Sequence, residues 1–108
     1  MTSLSSHVLD TERGVPAAGV RVTLYRGEQM LVEALTEANG RIADLGGGAL
    51  DLGTYRLEFD VAGYLAAQSR AAPFVQRLSL EIVLDGSQPH YHVPLLITPY
   101  ACTCYRGS

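Results

Sequence analysis

The sequence predicts an all-β protein, a sandwich or barrel of about eight short strands. Two observations predict it. Apolar side chains recur at every second position in several separate stretches, the period of a strand with one buried face. Turn signals built on Gly, Pro and Asn separate those stretches at short intervals. Length sets the scale: 108 residues, 47% of them hydrophobic, suit a single domain spanning residues 1–108. A chain of this size buries roughly two-thirds of its unfolded surface, enough for one core.

A first strand is expected near residues 4–10, ended by the turn signal Arg13-Gly14-Val15-Pro16. In the second, Val20, Val22 and Leu24 alternate with Arg21, Thr23 and Tyr25. Arg26-Gly27-Glu28 and Asn39-Gly40 are tight turns, and Leu45-Gly46-Gly47-Gly48 is a flexible loop. Tyr55, Leu57, Phe59 and Val61 alternate with Arg56, Glu58 and Asp60. Residues 62–69 break the pattern, and their Ala and Leu content favours a short helix. Leu78, Leu80, Ile82 and Leu84 resume the alternation before Asp85-Gly86-Ser87 turns the chain. The next strand holds His90-Tyr91-His92 and runs into Val93-Pro94-Leu95-Leu96-Ile97, apolar on both faces. A strand of that kind is covered on two sides. In so small a domain the second cover is expected from another subunit, with the last two strands at the interface.

Composition excludes several function classes. The net charge is −3 and no basic stripe exists, so nucleic acid is not an expected partner. No stretch approaches the ~20 apolar residues of a membrane span. Residues 1–6 lack the basic and apolar segments of a signal peptide, so the cytoplasm is the expected location. All eight basic residues are Arg, which excludes a Schiff-base lysine. Cys102 and Cys104 are two apart on a strand, ~6.5–7 Å between Cα atoms and pointing the same way, which disfavours a bridge. They read as small core residues.

The chemistry-bearing residues are few. His90 and His92 share one strand face, with Tyr91 opposite, and His7 shares a face with Ser5 and Leu9. Taken alone, each His reads as a polar residue on a solvated face. His-x-His is also a metal-ligand spacing, but a closed site needs four ligands, so no metal is expected. Arg41, after the Asn39-Gly40 turn, is either a surface cation or a fixed guanidinium for an oxyanion or a planar ligand. The chain closes on Tyr105-Arg106-Gly107-Ser108: a ring, a cation, a flexible link and a hydroxyl. Ser108 reads as a group positioning water or substrate, since nothing resembles a nucleophile elbow.

Four segments together carry a resemblance: Ser5-Ser6-His7-Val8-Leu9-Asp10, Asn39-Gly40-Arg41, His90-Tyr91-His92-Val93-Pro94-Leu95-Leu96 and Tyr105-Arg106-Gly107-Ser108. The chain resembles the transthyretin-like 5-hydroxyisourate hydrolases over nearly its whole length. The resemblance implies a transthyretin-like sandwich of two four-stranded sheets with one short helix. It also implies a homotetramer, a dimer of dimers, with active sites at the dimer–dimer interface. The implied catalytic residues are His7, Arg41, His92 and Ser108, and Tyr105, Arg106 and Gly107 complete the substrate-binding signature. In transthyretin itself the positions of His7, Arg41 and His92 hold Lys, Glu and Thr, and this chain carries the hydrolase residue at each. One departure stands out. The hydrolases commonly read Gly-Tyr-Ser-Thr where this chain has Ala101-Cys102-Thr103-Cys104, which bears on subunit packing and on sensitivity to thiol oxidation.

The implied reaction is ring opening of 5-hydroxyisourate by water, giving 2-oxo-4-hydroxy-4-carboxy-5-ureidoimidazoline in urate degradation. No metal or organic cofactor is implied. His7 and Ser108 would position and activate water, Arg41 would polarise the carbonyl, and His92 would hold the substrate and exchange protons with it. The division of acid and base roles between His7 and His92 stays open, because titrations in a shared site are coupled. The alternative is a non-enzymatic transthyretin-like small-molecule carrier, for which His7, Arg41 and His92 make a very polar lining. A structural β-sandwich module is a third reading, and it gives the histidines no reason to converge.

Overall fold

A computed structural model describes residues 2–108. Nine strands and one helix follow in order: β1 (Ser3–Asp10), β2 (Val15–Pro16), β3 (Arg21–Arg26), β4 (Gln29–Leu35), β5 (Arg41–Ile42), β6 (Gly53–Asp60), α1 (Val61–Ala67), β7 (Arg77–Leu84), β8 (His90–Ile97) and β9 (Cys102–Cys104). One sheet runs β4-β3-β6-β7; the other runs β2-β1-β8-β9, with two-residue β5 as a fifth strand on the free side of β1. The two-sheet sandwich with one short helix is therefore as expected, and β5 is the addition. It matters for the site described below.

The alternating stretches bury one face each. Leu24, Leu57, Phe59, Leu4, Val8 and Leu95 are fully inaccessible and fill the space between the sheets, each worth roughly 1.5–3 kcal/mol relative to exposure. Tyr91, Val93, Leu95 and Ile97 point inward from β8. His90 and His92 therefore point outward.

The helix starts where the Asp60 carboxylate accepts a hydrogen bond from the Gly63 N–H (2.9 Å), an N-cap. It buries Val61, Tyr64 and Leu65, beginning one residue earlier and ending two earlier than residues 62–69. Its Tyr64 hydroxyl donates to Asp10 at 2.8 Å, and Arg70 beyond the helix donates to the same carboxylate at 2.5 Å. The Glu12 and Arg13 N–H groups also reach Asp10, both at 3.1 Å. Burial pushes the Asp10 carboxyl up, but these hydrogen bonds outweigh it and hold the group below its ordinary value. This network ties the end of β1 to the helix.

Candidate active site

The β1–β8 pairing is parallel, with Ser3 opposite His90, Ser5 opposite His92 and His7 opposite Pro94. Opposed residues share a sheet face. Two short segments complete the outer face. Antiparallel β5 sets Arg41 opposite His7. A single bridge sets Gly107 opposite His92, through the Gly107 N–H to the His92 carbonyl at 2.7 Å. His7, Arg41 and His92, far apart in sequence, thus lie on one face of three adjacent strands.

Arg41 depends on the turn before it. Gly40 has φ +79°, and a Cβ there would lie 2.4 Å from the Val8 carbonyl oxygen. Only Gly lets this backbone approach β1 so closely. The Asn39 side-chain oxygen accepts from the Arg41 N–H at 3.0 Å, and the main-chain carbonyl of Asn39 lies 3.1 Å from His7 Nε2. A carbonyl can only accept, so Nε2 of His7 carries the proton and Nδ1 of the neutral ring is left free as a base.

His92 is half-buried. Its Nδ1 lies 2.7 Å from Ser5 Oγ. Burial, followed by the nearby Arg41, His7 and His90, holds its pKa below the ordinary histidine value. At neutral pH it is an uncharged imidazole beside a permanent cation, able to take or give a proton. Arg41 is exposed and donates only, which suits it to an oxyanion or a planar carbonyl-rich ligand.

The final residues divide. Gly107 packs on the His92 ring: a Cβ there would lie 2.8 Å from His92 Cδ2. Tyr105 and Arg106 border a mainly apolar cleft of about 280 Å³ with Ile82, Val83, Tyr91 and Val93, at the mouth of the core. Ser108 is exposed, and among the described residues nothing within the chain hydrogen-bonds it. Cys102 and Cys104 pack inward against the core as free thiols. Burial raises both thiols, Cys104 to about 11, so neither is a ready thiolate. Among the described residues no group of three His, Cys, Asp or Glu gathers that could hold a metal, and no helix is long and apolar enough to cross a membrane.

Sequence reasoning missed Ser5, which bridges two rings, and Asn39, which orients both His7 and Arg41. Ser5 had a signal, since it shares the His7 face. Its partner became visible only with the β1–β8 register.

Comparison with known proteins bears on the family and the fold. The model of the HIUase/Transthyretin family matches residues 4–107. The chain belongs to that family. Within the HIUase/transthyretin family it is 44% identical to the 5-hydroxyisourate hydrolase of Deinococcus radiodurans, covering 97% of this chain and 95% of the relative. The solved 5-hydroxyisourate hydrolase of Klebsiella pneumoniae superposes with a TM-score of 0.92 at 37% identity, covering both chains fully. Sea bream transthyretin in complex with thyroxine gives 0.83 at 25% identity over 96% of this chain and 93% of the other. This HIUase/transthyretin member thus stands nearer the hydrolase on both measures.

Proposed function

We propose that the chain hydrolyses 5-hydroxyisourate to 2-oxo-4-hydroxy-4-carboxy-5-ureidoimidazoline, using His7, Arg41, His92 and Ser108 as catalytic residues. The observation that carries the reading is the outer-face triplet: two imidazoles and a guanidinium on adjacent strands, with His92 held neutral. Full-length similarity to proteins named 5-hydroxyisourate hydrolase supports the choice of substrate.

Opening a cyclic acyl–nitrogen bond needs an activated water, a stabilised oxyanion and a proton for the leaving nitrogen. His7 offers a free Nδ1 to the water. Arg41 polarises the carbonyl and carries the developing charge. His92 exchanges a proton with the reacting groups through Nε2, the nitrogen not engaged by Ser5. Ser108 positions water and Gly107, packed on the His92 ring, shapes the substrate pocket, whereas Tyr105 and Arg106 border the core-side cleft and take no part in this outer-face scheme. No metal or organic cofactor enters this scheme.

The chain works as a single domain within a homotetramer, a dimer of dimers, whose facing outer sheets enclose the sites. The second apolar face of residues 93–97 supports this, with Leu96 left half-exposed in the single chain. The proposed location is the cytoplasm.

The test is optical. Uricase generates 5-hydroxyisourate in situ, and its decay is followed with and without the purified protein. Decay at the buffer rate refutes the reading. The carrier alternative predicts that same null result together with saturable thyroxine binding. The charged and imidazole lining disfavours it.

A further inference from the structure

One cluster on the outer face extends beyond the scheme above, from His92 and Ser5 to His90 and Ser3. Ser3 Oγ lies 2.6 Å from His90 Nδ1, and His90 Nε2 lies 2.8 Å from Ser5 Oγ. Ser5 Oγ in turn lies 2.7 Å from His92 Nδ1. Four side chains from two paired strands therefore form one unbroken chain of short hydrogen bonds. It begins at half-buried His92 and runs through exposed His90 to half-buried Ser3.

The chemistry of a hydroxyl restricts the arrangement. Ser5 has one proton to donate. Lying between two ring nitrogens, it donates to one and accepts from the other. The tautomers of His90 and His92 are thereby locked together and flip together. The surroundings give this coupling a use. Burial first, and then the neighbouring Arg41, His7 and His90, make an imidazolium at His92 unfavourable. His90 is exposed, and water can solvate its charge.

We propose that Ser5 and His90 form a proton relay joining His92 to solvent, with Ser5 as the positioning residue that sets the His92 tautomer. This rests on the reading that His92 exchanges protons during hydrolysis. In the resting state His92 Nδ1–H donates to Ser5, Ser5 donates to His90 Nε2, and His90 Nδ1–H donates to Ser3. When His92 Nε2 takes a proton, Nδ1 releases its own to Ser5 Oγ, and the Ser5 hydroxyl proton passes to His90 Nε2. His90 then sheds its Nδ1 proton to Ser3, whose hydroxyl proton leaves to water. His92 is now neutral with its proton on Nε2, the form that protonates the leaving nitrogen. That donation draws a proton back along the chain and restores the resting state. One proton enters and one leaves, and no electrons change hands.

Two substitutions separate relay from packing. Ser5→Ala cuts the chain, and kcat should fall about 10- to 100-fold while KM stays within about twofold, at the lower end of acid–base contributions. His90→Gln keeps a hydrogen-bonding group toward Ser5 but cannot pass a proton. Its kcat should fall by about tenfold and recover with added imidazole buffer. Wild-type kcat in His90→Gln, or a loss that imidazole does not restore, overturns the relay. A second readout does not need turnover. In ¹⁵N NMR spectra of the free protein, the His92 proton should sit on Nδ1 in the wild type and move toward Nε2 in Ser5→Ala; an unchanged pattern overturns the coupling. If the wild-type protein were inert toward 5-hydroxyisourate, the hydrolase reading would fall. The NMR result alone would still support or overturn the hydrogen-bonded chain.

Discussion

Gly107→Ala isolates how tightly the last residues hold His92. The added methyl carbon would lie 2.8 Å from His92 Cδ2 and 3.4 Å from both Cγ and the carbonyl oxygen. Carbon–carbon contact begins near ~3.5 Å, so about 0.7 Å must be recovered by movement. The ring cannot simply swing away, because that lengthens the 2.7 Å contact between Nδ1 and Ser5. The backbone cannot withdraw without stretching the 2.7 Å bond from Gly107 N–H to the His92 carbonyl. Either route displaces a reacting group. A misplacement of about 1 Å costs on the order of 100-fold in rate, so kcat/KM should fall by about 30- to 100-fold. The fold should notice little. An off-rotamer ring costs roughly 0.5–1.5 kcal/mol, and Gly107 makes only one bridge at the sheet edge. The melting temperature should therefore drop by no more than about 5–10 °C. The measurement is decay of uricase-generated 5-hydroxyisourate, paired with a thermal melt. Wild-type kcat/KM in Gly107→Ala would refute the packing argument.

Three other expectations follow from the same contacts. Gly40→Ala combines a φ of +79° with a Cβ 2.4 Å from the Val8 carbonyl; it should cost at least about 1–2 kcal/mol and lower activity, because Arg41 moves with the turn. Asp10→Asn removes the buried partner of Arg70, which keeps its ion pair with Glu12 and its hydrogen bond to Gln68, and should cost about 1–3 kcal/mol in denaturant unfolding. The pH dependence has a definite sign: the folded Asp10 pKa is lowered, so its stabilisation is present above the unfolded value of about 3.9 and is lost as pH falls through the folded value. Asp10→Asn should flatten that acid limb. Cys102 and Cys104, with burial raising both thiols, should react with a thiol reagent at neutral pH only after unfolding, as read by mass spectrometry.

The period-two segments were legible because one buried face imposes alternation, as in β3, β6 and β7. The short strands were not. Val15-Pro16 read as a turn, although it pairs with Leu9 and Asp10. Arg41-Ile42 is too short to show a period at all, although it alone sets Arg41 opposite His7. Edge strand β4 was equally obscure, since Met30, Leu31 and Leu35 are exposed and blur its alternation. For the site, residue type and face were readable: His90 and His92 together, Tyr91 opposite, the thiols inward. Strand order was not, because the parallel β1–β8 pairing joins segments more than eighty residues apart. The roles of Ser5 and Asn39 depend on that pairing and on the turn geometry. Local sequence cannot supply either.

The proposed place of hydrolysis is the outer face of β1, β5 and β8. His7→Asn tests it most directly, since Asn keeps a polar group near the Asn39 main-chain carbonyl but removes the imidazole ring. With the fold verified by circular dichroism, kcat/KM for 5-hydroxyisourate should fall by at least about 100-fold, the scale of general acid–base catalysis. A folded His7→Asn protein that decays the substrate at the wild-type rate would contradict the account.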